Sequence, residues 1–231
     1  MCGRFILIAV GRIVAERFQL ENEPDLEPRY NIAPSQLVAA VIRDHVSARR
    51  ELKMLRWGLV PGWAKDPSLG YKMINARSES APEKPAFRNA FRRRRCLVLA
   101  DGYYEWDKGM KPKQPYLLRM KDGQPFAFAG LWEWWQGAEG EIIESCTILT
   151  TDANELVMVL HDRMPVILPS AAYASWIDTE TQKPDTLREL LVPHPADRME
   201  SYPVSTKVNN ASYDEADCIQ PVELHQSLTD D

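Results

Sequence analysis

The chain has 231 residues, a formal net charge of −5, 45% hydrophobic residues and 26% charged residues, the balance of a globular protein long enough to bury a substantial core. Its apolar runs are short, and FILIAV near the start is flanked by Arg4 and Arg12. No stretch approaches the roughly 20 residues that span a bilayer, and none has the shape of a secretory signal, so no membrane association and a cytoplasmic location are expected.

In chain order, Val14 to Leu20 is predicted as a short helix and PRYNIAPSQ as an ordered loop. LVAAVIR and ELKMLRWGLV are predicted strands, PGWAKDPSLG is a loop, and Lys72 to Ala76 is a short strand. Ser78 to Ala81 and Pro85 to Arg92 are expected to be helical, the second placing Phe87 and Phe91 on one face. Strands then dominate: CLVLA, GYYEWDK, PYLLRMK, PFAFAGLWEWW and EIIESCTILT, with Asp122-Gly123 as a hairpin signal between two of them. Thr151 to Leu160 suggests a loop and a short helix, MPVIL a strand, and Ser170 to Ile177 a helix. Asp185 is the expected cap of a helix over TLRELL, and Arg198 to Val204 is the last strand. Without βαβ alternation, this order implies an α+β fold: predominantly antiparallel strands in a curved, barrel-like core with several short helices. With no repeat and no linker, residues 2–231 read as a single domain.

Charge is unevenly spread. Residues 43–95 hold fourteen Lys/Arg against five Asp/Glu, whereas 214–231 hold six acids and no base, an acidic tail from about 214. Such a chain presents one positive face. The RRRR run over 92–95 suits a helix C-terminus. The cysteines at 2, 96, 146 and 218 are far apart with no C-x-x-C. A reduced compartment is expected, with no metal site and no disulfide framework, and the last three thiols read as small buried apolar groups. Neither a phosphate-binding G-x-x-x-x-G-K nor a dinucleotide G-x-G-x-x-G is present, and no cofactor is expected.

Cys2 is the residue that asks for chemistry. Loss of Met1 would place a free α-amine and a thiol on adjacent carbons. About a tenth of such amines are neutral at pH 7, against roughly 0.04% of lysines. An amine attacks an aldehyde to give an imine, and a neighbouring thiol closes on the imine carbon to give a five-membered thiazolidine. The same residue also serves glutamine amidohydrolysis, with the thiolate as nucleophile. Beside these stand a plain single-stranded DNA-binding module and an inert Cys2. Glu105, expected to pack between Tyr104 and Trp106, suits proton transfer. His161 lies beside Asp162 and Arg163, and Asn75 carries an amide able to orient the Cys2 amine.

Taken together, MCGRF, PRYNIAPSQ, RWGLVPGWAKD, INARSE, PAFRNAFRRRRCLVLADGYYEW, FAFAGLWE, HDRMPVIL and VSTKVNN resemble the SRAP (SOS-response-associated peptidase) family, in family order and over nearly the whole chain. Two departures are small: Leu99 stands where the family usually has proline, and NARSES replaces the commoner NARAET. The resemblance implies an abasic-site processing protein acting on single-stranded DNA, monomeric and nucleoid-associated when engaged, that exposes Cys2 by removing Met1 and forms a reversible thiazolidine crosslink. It implies that Asn75 positions the Cys2 amine, Glu105 shuttles protons and His161 acts on the sugar oxygen as the ring opens. Arg4, Arg77 and Arg163 are the expected phosphate contacts, and Trp63 and Trp106 the stacking platforms.

Overall fold

A computed structural model describes residues 2–44, 46–107, 109–179 and 184–224. The apolar runs form strands, and the polar, proline-rich stretches turn between them. The strands are β1 (Phe5–Leu7), β2 (Arg29–Ile32), β3 (Leu37–Arg43), β4 (Arg50–Trp57), β5 (Asn75–Arg77), β6 (Arg95–Ala100), β7 (Gly102–Asp107), β8 (Gln114–Met120), β9 (Phe126–Gln136), β10 (Ile142–Asp152), β11 (Arg163–Pro165), β12 (Ile167–Leu168) and β13 (Met199–Pro203). The helices are short: α1 (Gly11–Phe18), α2 (Arg88–Arg93), α3 (Glu155–Met158), α4 (Tyr173–Ile177) and α5 (Pro184–Glu189).

Two sheets result. One has the order β13-β8-β7-β1-β2. In the other, β4, β3, β6, β9 and β10 pair in turn and β10 returns to β4, which closes a five-stranded ring. Its seams are antiparallel except β10–β4, which is parallel. Closure removes strand edges from the ring. Strand contact within it is tight: a side chain at Gly130 would start 2.7 Å from Cys96 Sγ. Between the sheets, the Phe5 ring packs edge-on against Trp57 at 5.0 Å and Phe128 at 5.8 Å, and Tyr103 meets Phe128 at 6.0 Å. The α+β, barrel-cored, mostly antiparallel architecture therefore agrees with the sequence pattern. Cys96, Cys146 and Cys218 are buried as expected. No helix among the described residues is long and apolar enough to cross a membrane.

Several local expectations are corrected. PRYNIAPSQ contains strand β2 instead of being all loop, because partners remote in sequence complete its backbone. The Asp214 carboxylate accepts from Tyr30 N at 2.5 Å and Asn31 N at 2.7 Å, and it pairs with the Arg29 guanidinium. The same contacts make the start of the acidic segment a structural strap, and Cys218 within it is buried. Residues 225–231 of that segment lie outside the described residues. FILIAV supplies a strand at its head, β1. The Lys72–Ala76 strand is displaced to Asn75–Arg77, since a 3-10 turn over Pro67–Lys72 occupies its first residue. Ser78–Ala81 forms consecutive turns, and α2 begins only at Arg88. MPVIL is split at Val166, whose N–H is taken by Leu149. Helix α5 starts at Pro184, so Asp185 lies in its first turn and not ahead of it.

The Asp122-Gly123 turn forms, with Gly123 at φ +66°, but it does not close a hairpin. β8 pairs with β7 and β13, whereas β9 pairs with β6, β10 and β12. The turn is a corner between the two sheets. Asp101 makes the corresponding corner between β6 and β7, its carboxylate accepting from Ile8 N at 2.6 Å and Ala9 N at 2.8 Å. Of the RRRR run, Arg95 is buried and donates to the carbonyls of Phe91, Arg92, Trp176 and Asp178. Arg94 pairs with Glu133 at 2.6 Å. Half of that run is therefore framework.

Candidate active site around Cys2

The chain enters β1 through Cys2, and β1 lies beside β7, with Phe5 opposite Tyr103 and the Tyr104 N–H donating to the Arg4 carbonyl at 2.9 Å. This register brings the start of the chain alongside Glu105. The Cys2 side chain is fully buried, and its thiol faces the Arg4 carbonyl at 3.8 Å. Asn75 reaches in from β5, which rides on β10, and its Nδ2 donates to the Cys2 carbonyl at 2.7 Å. Glu105 is 3% exposed. Burial pushes the Cys2 thiol far above its ordinary pKa, and the negative charge of Glu105 pushes it further. At neutral pH the sulfur is a thiol, not a thiolate.

Glu105 does not pack between Tyr104 and Trp106. Successive side chains of a strand point to opposite faces, so Tyr103 and Glu105 face the main core while Tyr104 and Trp106 face a second cluster with Ile6, Leu117 and Val208. Sequence neighbours were the wrong neighbours for this carboxyl.

His161 sits in the turn ahead of β11, its side chain 16% exposed. Nδ1 accepts from Arg163 N at 3.0 Å and lies 2.8 Å from Asp162 Oδ1. The two contacts ask for different protonation of one nitrogen. Asp162 is largely exposed, so the backbone contact is the better fixed of the two.

The expected DNA contacts divide into two groups. Arg77 and Trp63 are exposed, Trp63 by 60%. The loop that carries Trp63 is held down by Trp135 Nε1 donating to Ala64 O at 2.6 Å, and by the close crossing of Gly58 and Gly70, where any Cβ would meet backbone oxygen at 2.6 Å. Arg4, Arg163 and Trp106 are already engaged within the protein. Arg4 Nη1 donates to Asn31 Oδ1 and to Val208 O, both at 2.8 Å, and its guanidinium lies over the Trp106 ring. Trp106 Nε1 donates to Asn209 Oδ1 at 2.6 Å. Arg163 forks onto Glu79 at 2.7 and 2.9 Å and also binds Asp152 and the Thr150 carbonyl. Nothing in the local sequence identifies those partners.

Sequence reasoning passed over Tyr103, the residue two before Glu105 and on its face of β7. The signal for it was parity within GYYEW. Among the described residues, no group of three or more His, Cys, Asp or Glu is arranged to hold a metal.

These features define a class: a closed-barrel α+β protein whose second residue, a cysteine, is buried and held by its carbonyl from β5. The family model of the SOS response associated peptidase (SRAP) matches residues 1–211, and the chain belongs to that family. It is 43% identical over 224 residues to the abasic site processing protein YoqW of Bacillus subtilis (strain 168), covering 95% of this chain and 99% of that one. It is 32% identical over 230 residues to the abasic site processing protein HMCES of Xenopus tropicalis, covering 87% of this chain and 68% of that one. A crystal structure of a Bordetella bronchiseptica protein matches with TM-score 0.76 at 32% identity, over 88% of this chain and 100% of that one. One from Bacteroides thetaiotaomicron matches with TM-score 0.85 at 23% identity and speaks for the fold alone.

Proposed function

We propose that the protein binds single-stranded DNA at abasic sites and captures the sugar aldehyde on Cys2. In this reading, hydrolysis of the Met1–Cys2 peptide consumes one water and frees the α-amine, the family's peptidase step turned on its own chain. The amine attacks the C1′ aldehyde, and loss of one water gives the imine. The thiol then adds across the C=N bond, sulfur to carbon and the thiol proton to nitrogen, closing the thiazolidine. Glu105 carries protons between these atoms, His161 serves the sugar oxygen as the ring opens, and the reverse sequence releases the DNA. A sulfur held as a thiol favours this order, since the amine must act first. Arg77 and Trp63 supply the open contacts to the strand, while Arg4, Arg163 and Trp106 offer only the faces their internal bonds leave over.

The observation that carries the reading is the 2.7 Å bond from Asn75 to the Cys2 carbonyl, with the buried Glu105 beside it. Anchoring residue 2 by its carbonyl leaves its nitrogen and sulfur to react. The burial of Cys2 sets a condition, because an electrophile needs an opening to reach it.

The test pairs an abasic oligonucleotide with intact mass measurement. The mature protein should lack one methionine and form an adduct that survives denaturation on abasic DNA and not on intact DNA. Cys2→Ala should form none, and Cys2→Ser should give only an imine trappable by borohydride. Salt-sensitive binding to both oligonucleotides without any adduct would reduce the protein to a binding module.

A further inference from the structure

Beside Cys2 the core holds polar atoms that the fold leaves unmet. The Tyr103 side chain is 0% exposed, and its hydroxyl has no hydrogen-bond partner among the described residues. The buried Asn75 Oδ1 has none either, although Nδ2 of the same amide holds the Cys2 carbonyl. A buried hydroxyl left unmet destabilises a protein, and phenylalanine would fill the same space without that penalty. Tyr103 lies opposite Phe5 in the β1–β7 pairing, with its ring against Phe128 and on the Glu105 face of its strand. Cys2 lies in the same core cluster as Tyr103. Burial pushes the phenol well above its ordinary pKa, so it remains a neutral O–H that donates one hydrogen bond and accepts others.

A free α-amine brings two or three N–H bonds into this region and needs acceptors for them. We propose that Tyr103 is a further catalytic residue of the Cys2 site, its hydroxyl oxygen accepting a hydrogen bond from the α-nitrogen of Cys2 once that nitrogen is freed. With Asn75 Oδ1 as a second acceptor, the amine is held with its lone pair toward the incoming aldehyde. The inference rests on the proposed capture of an aldehyde by Cys2. It adds a residue that fixes the direction of attack.

The experiment compares wild type with Tyr103→Phe in three measurements: adduct formation on an abasic oligonucleotide against pH, thermal melting of the DNA-free protein, and affinity for an intact oligonucleotide. The plateau rate should fall about tenfold, the effect of one hydrogen bond to a charged group. The rising limb should move to lower pH, because loss of an acceptor destabilises the charged amine. The melting temperature should change little, because the lost bond to the amine is offset by the lost cost of burying the hydroxyl, and affinity for intact DNA should not change. An unchanged plateau and limb would overturn the proposal. So would a drop in melting temperature with the limb unmoved, or a variant that does not fold, either of which makes the hydroxyl structural. Absence of an adduct from the wild type would defeat the aldehyde-capture reading and this inference with it. A wild-type adduct alongside an indifferent Tyr103→Phe defeats the inference alone.

Discussion

The two faces of β7 carry adjacent tyrosines in opposite conditions. On the face toward the second cluster, Tyr104 donates to the Tyr30 carbonyl at 2.8 Å, Trp106 to Asn209, and Arg4 to Asn31 and Val208. On the face toward Cys2, the Tyr103 hydroxyl is buried with no such partner. The strand and the residue type are the same, so the difference lies in what the surroundings offer. On the reading proposed above, the Tyr104 hydroxyl holds the fold, and the Tyr103 hydroxyl is kept for the freed amine of Cys2. The contrast also separates the arginines: Arg4 and Arg163 are bonded inward, while Arg77 is exposed.

Glu105→Gln should slow both adduct formation and its reversal about a hundredfold, in line with loss of a general acid–base. Single-turnover rates in both directions read this, and equal rates at every pH would remove Glu105 from the chemistry. Tyr104→Phe should lower unfolding free energy by about 1–2 kcal/mol, since it strips the Tyr30 carbonyl of its donor. The urea midpoint checks it, and a Tyr104→Phe as stable as Tyr103→Phe would erase the distinction between the faces. The smallest effect lies at Glu79. Burial pulls its pKa up, but the hydrogen bonds and charge of Arg163 outweigh this and hold it below its ordinary value. Its contribution to stability is thus present above the unfolded value of about 4.3 and fades as pH falls through the lower folded value. Arg163→Gln should flatten that acid limb in urea midpoints taken between pH 2 and 6.

Much of the fold was legible because burial writes itself into local pattern. LVAAVIR, CLVLA and EIIESCTILT are apolar because ring strands are covered, and those strands lie where the sequence puts them. What could not be read depended on partners far along the chain. β2 exists through Asp214, Arg163 is occupied by Glu79, and the Asp122-Gly123 turn joins strands of different sheets. At the site, the family motifs named Cys2, Asn75 and Glu105, and the structure brings these three together. The surroundings of Glu105 were misjudged, since adjacency in sequence is opposition in a strand.

The order in which the chain fills its sheets has a mechanical consequence. It leaves the first sheet after β2, returns after β6, leaves again after β8 and returns a last time after β12. Like two fabrics sewn with one thread, neither layer can be lifted off intact. Melting should register as a single event across every spectroscopic probe, and a nick at the corner over 121–125 should release two fragments that each lack strands of both layers.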